Sequence, residues 1–469
     1  MSFSVFYYYF FAAIRFLISL WWIYVPCFLF VLFKDIWIKH KRDQFIQEMK
    51  WVLLEVVPPR DVIKTPKVME NIFASLHTIL LPPDWYKSTI KGEVQFWFSL
   101  EIASLGGDLH FFIKCLAGHR DLVEANIYAQ YPEAEIKQVD DYVLNVPQDL
   151  PNEDYNVWGT EVILDEPDAY PVLSYPYFGK DINLEEQRID PMASLLEVMN
   201  KAGKEEQIWL QMVARPIPGS WKKGAGKYGW KIESEKLRDE LTGRKEKKGS
   251  KGGLLNEIGN EAGAFLGDAV DVLVHLVTGE VSTAAAGGGK GDEKKEQETP
   301  FLWKSTKHEQ LVLNSIEEKM SKPAFEVVIR WLYLGQKDAF SMSKVSGVFG
   351  AFKQFGSQHL NSFKANKATM TAIAYGYQGK KVKESYRKKR IFRDYKKRDL
   401  VQHSKNLPRL GLLLFERLPV FRWFFARSKA IVLNIEELAS LYHFPSLVVK
   451  APTTPKVEAK RESRQLACQ

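Results

Sequence analysis

One stretch of this chain concentrates side chains whose type and spacing could act on a partner. Residues 380–398 hold eleven cations: Lys380, Lys381, Lys383, Arg387, Lys388, Lys389, Arg390, Arg393, Lys396, Lys397 and Arg398. Only Glu384 and Asp394 oppose them, so this stretch carries about +9 where the whole chain carries +8. Tyr386, Phe392 and Tyr395 are interleaved. Three readings stand. Nucleic acid would meet the cations with its phosphates and the rings with its bases. Anionic lipid would use the same cations at ~1 kcal/mol each. A solvated or protein-contacting face is the third. The following residues 407–425 are rich in Leu, Phe and Trp, with Arg409, Arg417 and Arg422 spaced along them. They read as an interfacial helix and favour the lipid.

No catalytic residue, cofactor site or metal site is expected. A phosphate-cradling loop needs GxxxxGK followed by Ser or Thr. The nearest candidates, residues 224–229 and 287–291, lack it. There is no GxSxG and no HExxH. His77, His110 and His119 read as structural polar residues, and Asp140-Asp141 and Glu185-Glu186 as solvated loop acids. Cys27, Cys115 and Cys468 show no pairing pattern, which fits a reducing compartment.

These cations must be positioned by an anchor and by folded layers. Residues 3–33 are almost wholly apolar, broken by Arg15 alone among charged side chains. Residues 16–33, from Phe16 through Trp21, Trp22 and Tyr24 to Phe33, form an uncharged run just able to cross a hydrocarbon core of ~30 Å. Its uncharged start and bulky rings argue for a retained anchor over a cleaved signal. Arg15 reads as a residue snorkelling to the outer interface, with a partner charge for another subunit as the sharper alternative. Lys34, Lys39, Lys41 and Arg42 come directly after the run, so the rest of the chain is expected on the cytoplasmic side of an inner membrane.

Next comes a readable module over residues 48–145. Residues 51–57 form a β-branched run stopped by Pro58-Pro59, and Pro66 opens a helix with Val68, Ile72, Leu76 and Ile79 on one stripe. Residues 93–104 alternate as a strand with Val94, Phe96, Phe98, Leu100 and Ile102 on one face. Gly106-Gly107-Asp108 turns the chain into residues 109–115, and a helix over 120–131 and a strand over 134–139 complete the module. The order βαββαβ predicts a ferredoxin-like sandwich, and hence an α+β class with an N-terminal transmembrane helix. Residues 155–360 read as a second α/β module on similar lines, with a flexible insertion at 242–299. Within it, residues 254–277 could form an amphipathic helix, either docking a partner or folding back on its own domain. Residues 361–445 carry the basic stretch and a last block, and residues 446–469 read as a disordered tail.

Six blocks then resemble one bacterial family. They are Phe73-Ala-Ser-Leu-His-Thr78, Ser99-Leu-Glu-Ile-Ala-Ser-Leu-Gly-Gly-Asp108 and Arg120-Asp-Leu-Val-Glu-Ala-Asn-Ile-Tyr-Ala-Gln-Tyr131. The others are Asp190-Pro-Met-Ala-Ser-Leu-Leu-Glu-Val-Met199, Gly350-Ala-Phe-Lys-Gln-Phe355 and Leu433-Asn-Ile-Glu-Glu-Leu-Ala-Ser-Leu-Tyr-His-Phe-Pro445. From about Lys50 to Pro455 the chain is similar to the membrane-proximal N-terminal region of type IV secretion and conjugative-transfer ATPases of the TraC/TraG/HerA-like kind. That region precedes a RecA-type motor, so the resemblance implies a platform without the engine. The expected role is a membrane-anchored, non-enzymatic scaffold or adaptor that recruits a separate secretion-type ATPase or self-associates. The alternative is a membrane-tethered nucleic-acid-binding protein acting through residues 380–398.

Overall fold

Alternating apolar residues in the strands, and apolar residues every three or four positions in the helices, produce one large antiparallel sheet with helices laid on it. The computed structural model describes residues 15, 19, 21–59, 64–84, 86–178, 190–219, 229–242, 307–357, 359–373, 380–398, 400 and 428–445. The chain divides into two compact units, one of Met1–Glu235 with Leu311–Gln469 and one of Lys236–Gln310. The second unit is described only at 236–242 and 307–310, so most of the expected insertion, its amphipathic helix included, lies outside the described residues.

Helix α1 (Trp21–Glu48) leads into β1 (Trp51–Val57), α2 (Lys67–Leu76), β2 (Phe98–Leu105), β3 (Asp108–Leu116), α3 (Arg120–Gln130) and β4 (Glu135–Val139). These strands lie in the order β4-β1-β3-β2, every neighbour antiparallel. The second half repeats the scheme with β5 (Tyr155–Leu164), α4 (Ala193–Asn200), β6 (Glu206–Ile217), β7 (Ala324–Gln336), α7 (Met342–Lys353) and β8 (Phe363–Ala365). Between β6 and β7 stand α5 (Trp230–Leu241) and α6 (Lys307–Ser321). Their strands run β6-β7-β5-β8, the first order read from the opposite edge. β2 and β6 pair from Phe98↔Ala214 to Leu105↔Gln207, so the halves share one sheet. After α8 (Lys380–Lys397), β9 (Ile431–Asn434) pairs with the start of β7, beyond the part of β7 that β5 covers, and α9 (Ile435–Leu441) closes the described chain.

All four βαβ helices bury their stripes against one sheet face. Met69, Ile72, Phe73 and Leu76 of α2, Val123 and Ile127 of α3, Leu196 of α4 and Val348 of α7 share a cluster with Phe98, Ile102, Leu210 and Trp331. The turn between β2 and β3 needs its glycines: Gly106 and Gly107 have φ of 67° and 102°.

The structure corrects one local expectation. The strand expected over 93–104 begins only at Phe98, and Val94 packs with Trp97 in a different cluster from Leu100. Gly92, at φ 74°, and the Gln95 amide, which donates to the Ile79 carbonyl at 3.0 Å, turn residues 92–97 out of the ladder. The α9 block belongs to the interior. Residues 430–445 are buried throughout, and Glu437 pairs with Lys319 of α6 at 3.1 Å.

Among the described residues no helix is long and apolar enough to cross a membrane. Residues 1–14 and Phe16 lie outside them, and Arg15 is helical and exposed. Of the expected span over 16–33, residues 19 and 21–33 are described. Trp21 and Tyr24 lie in α1, Trp22, Leu29, Phe30, Phe33 and Ile36 stand more than half exposed, and Lys34, Lys39, Lys41 and Arg42 continue along the same helix. The foot of α1 is rooted on the sheet, with Phe45, Ile46 and Met49 packed on Val94, Trp97, Val213 and Val328. A Cβ on Gly92 would stand 2.5 Å from the Lys41 carbonyl carbon, so that approach admits only glycine.

Candidate functional site: the basic helix and the sheet face beneath it

The sheet face away from the four helices is crossed by a row of polar side chains. Glu101, Gln211, Arg330 and Glu161 lie directly opposite one another on β2, β6, β7 and β5. Gln211 donates to Glu101 Oε1 at 3.1 Å, Arg330 Nη1 reaches Gln211 Oε1 at 3.5 Å, and Arg330 Nε reaches Glu161 Oε1 at 3.2 Å. Arg215 and Glu326, also facing partners on β6 and β7, pair at 2.5 Å. All are buried. Charges in such a place persist only when they are paired, because losing water costs several kcal/mol per ion. The row crosses the β2–β6 joint and so ties the two halves together electrostatically as well as by backbone.

Helix α8 lies over this row. Its buried side chains are Ile391, Phe392 and Tyr395, set against Trp209, Leu332 and Leu334. The Tyr395 and Trp209 rings stand 5.4 Å apart. At its end, Arg398 turns back onto the sheet with a left-handed φ of 49°. Its guanidinium donates to both oxygens of Glu101 at 2.8 and 3.0 Å and to both of Asp141 at 2.5 and 2.9 Å. Tyr142 Oη completes the enclosure, 2.8 Å from Glu101 and 2.7 Å from Tyr395 Oη.

The ionisation of this cluster is set by its contacts. Burial pushes the Glu101 carboxyl up, but the Arg398 charge and hydrogen bonds prevail and hold it below the ordinary carboxylate range. Asp141 is likewise lowered, its burial outweighed by Arg398 and Lys114. Burial lowers the Lys114 ammonium, and nearby Arg398 lowers it further. Tyr142 and Tyr395 are raised well above the usual phenol value, chiefly by burial and then by the Glu101 charge.

The eleven cations therefore fall into three groups. Arg398 is buried and committed. Lys380, Lys383, Arg387, Lys388 and Arg390 are half-buried along the helix flanks, where Lys388 donates to Asn156 at 2.7 Å and Arg387 to the Met370 carbonyl at 2.7 Å. Lys381, Lys389, Arg393, Lys396 and Lys397 are exposed. Two of the three interleaved rings, Phe392 and Tyr395, are core residues, and only Tyr386 reaches the surface. Ring stacking on bases, one arm of the nucleic-acid reading, is thus withdrawn at two positions.

Asp141, expected in a solvated loop, is a half-buried ligand of Arg398 and Lys114, while its neighbour Asp140 is exposed. Glu185, Glu186 and the two glycine-rich candidates at 224–229 and 287–291 lie wholly or mostly outside the described residues. The histidines are structural contacts: His77 faces the Ile217 carbonyl at 3.1 Å, His110 meets Glu55 at 2.6 Å, and His119 packs edge-on to Phe96. Among the described residues no group of three or more His, Cys, Asp or Glu could hold a metal ion. The polar row itself escaped the sequence reading. Its signal was a single charge inside an apolar strand, as in Val327-Val328-Ile329-Arg330-Trp331, which implies a buried partner.

No curated protein and no solved structure matches this chain. One family model does, and its match begins two residues past Phe33, taking in both halves of the sheet, α8 and the α9 block. Matched over residues 35–456 of 469, the chain belongs to the family described as a domain of unknown function, DUF8128.

Proposed function

We propose that this protein is a membrane-anchored, non-catalytic scaffold of a type IV secretion- or conjugation-like apparatus. In this reading its two halves are ferredoxin-like units, and it recruits a separate ATPase or self-associates beneath an inner membrane. The observation that carries the reading is α1. Trp22, Leu29, Phe30, Phe33 and Ile36 stand more than half exposed on a helix whose foot is wedged into the sheet. At roughly 1.5–3 kcal/mol for each large apolar side chain removed from water, these five represent on the order of 5–10 kcal/mol that only an apolar surrounding would recover. With residues 3–20 continuing the apolar run, a bilayer is the surrounding that fits, and Lys34, Lys39, Lys41 and Arg42 favour the cytoplasmic side for the sheet and its helices.

The resemblance of the six blocks supports the secretion setting. A polar row given over to internal pairing, and a sequence without a phosphate loop, support a scaffold over an enzyme. Copurification tests it. Detergent extracts carrying the tagged full chain should yield a type IV secretion-type ATPase, identified by mass spectrometry, or a homo-oligomer. A lone monomer, or ATP turnover by the purified chain, would overturn it.

A second reading, a membrane-tethered nucleic-acid binder, retains one supporting observation: Lys381, Lys389, Arg393, Lys396 and Lys397 stay exposed along ~24 Å of one helix. It predicts an affinity falling steeply with salt and lost when these five become Ser.

A further inference from the structure

Between the buried residues Ile79 and Val94 the chain leaves the sheet and is laid against α1. Its centre is one π-helical turn, Lys87–Lys91, closed by Gly92. The place of contact is fixed, because a Cβ on Gly92 would stand 2.5 Å from the Lys41 carbonyl carbon and 2.8 Å from the Arg42 nitrogen. Ile38, on the preceding turn of α1, is 5% exposed and is the one buried side chain among those described on that helix. The contact nevertheless leaves Tyr86 57% and Ile90 47% exposed, with Lys87 and Lys91 exposed beside them. Tyr86 and Ile90 are four residues apart, so on a helical turn they share one side.

We infer that Tyr86 and Ile90 make a second membrane contact, in the headgroup layer of the bilayer that holds α1; the inference rests on α1 being the anchor. The level follows from the helix. Trp37 is the last large apolar side chain exposed on α1, and Lys41 lies four residues, or ~6 Å, further along. With the hydrocarbon ending at Trp37, the turn packed at Lys41 stands within a headgroup layer that is itself ~5–8 Å thick on each side. That layer takes amphipathic rings and apolar side chains, with a tyrosine hydroxyl left among the headgroups. Lys87 and Lys91 can lay their stems along the same surface and keep their ammonium groups in water. Asp84 and Glu93 balance these two cations, so residues 84–93 carry no net charge, and the contact depends on apolar side chains rather than on anionic lipid. A spanning helix leaves its own tilt open, and an interfacial anchor beside it fixes that tilt. Because the foot of α1 is packed on the sheet, the same anchor sets the angle of the sheet to the membrane.

The test places a bimane probe at Lys91→Cys, or at Asp108→Cys as the reference, in full-length protein carrying Cys27→Ser and Cys468→Ser with Cys115 left buried. Asp108 is exposed at the opposite end of β3, ~26 Å from Leu116, which faces Trp51 beside the foot of α1. The protein is reconstituted into phosphatidylcholine vesicles, some of whose headgroups bear a nitroxide quencher, and the fraction that floats is measured. Quenching at 91 should exceed that at 108 by roughly threefold or more, equally with and without added phosphatidylglycerol. Tyr86→Ser with Ile90→Ser, both at exposed positions, should bring the two probes level without changing flotation. A floating protein whose two probes are quenched alike, or whose quenching at 91 survives the Ser pair, overturns the contact and leaves α1 as the anchor. Protein that does not float overturns both.

Discussion

Replacing Arg398 with Met should be the most damaging single change at the helix–sheet contact. Arg398 is 3% exposed and Glu101 fully buried, so the substitution strands a carboxylate that Ser99, Tyr142 and Gln211 cannot neutralise. Breaking a buried pair by removing one partner costs roughly 3–5 kcal/mol. The left-handed backbone at 49° strains any non-glycine residue there, Arg and Met alike, by roughly 1–2 kcal/mol. Arg398→Gly relieves that strain and should lose about 1 kcal/mol less than Arg398→Met. Adding Glu101→Gln to Arg398→Met removes the stranded charge and should recover most of the loss. Equilibrium urea unfolding of the detergent-solubilised chain measures all three. The pH profile has its origin in the same contacts. Glu101 and Asp141 both titrate lower in the folded chain than when unfolded, so their contribution is complete above the ordinary carboxylate range and is lost as pH falls through their depressed folded values. In Arg398→Met the Glu101 share of that acid loss should vanish, and lowering the pH should recover part of the lost stability by protonating the stranded carboxyl. A cost under about 1 kcal/mol with an unchanged acid profile would refute the clamp.

Other perturbations test separate parts of the structure. Lys319→Met should cost roughly 3–5 kcal/mol by leaving Glu437 buried and unpaired, and Lys319→Met with Glu437→Gln should restore most of it on urea unfolding. Gly92→Ala should cost at least ~2 kcal/mol, since both its φ of 74° and the 2.5 Å approach to Lys41 exclude a Cβ, and limited proteolysis should then cut at the foot of α1. His77 sits below its usual 6.5 because burial opposes its charge, so folding loses stability as pH drops beneath that value. His77→Phe should flatten the stability profile between about pH 7 and 5, as tracked by thermal unfolding.

Much of the first half was legible because local signals agree there. Pro58-Pro59, Pro66 and Gly106-Gly107 punctuate clear periods, and the βαββαβ order emerged from them. The strand end near Val94 was misread because the alternation continues through residues that a glycine turn and the Gln95 bond lift away from the ladder. The second half was harder to count, since α5, α6 and the residues between them interrupt what is otherwise the same order of strands. That β2 meets β6 is a pairing across about 110 residues, as in Glu101↔Gln211, and no local pattern encodes it. In the basic stretch the charges were visible but their roles were not. A run of eleven cations looks uniform in sequence, and only the helical period, fixed by the buried Ile391, Phe392 and Tyr395, separates the half-buried flank from the exposed stripe, while the left-handed turn at Arg398 sets the clamp apart.

The proposed anchorage of α1 in a bilayer has a direct test. Sucrose-gradient flotation of the full chain with phosphatidylcholine–phosphatidylglycerol vesicles, after an alkaline carbonate wash, tests this most directly. The protein should float with the lipid and resist the wash, and Leu29→Asp with Phe30→Asp should leave it at the bottom. Wild-type chain remaining in the dense fraction, dispersed without detergent, would contradict the central claim.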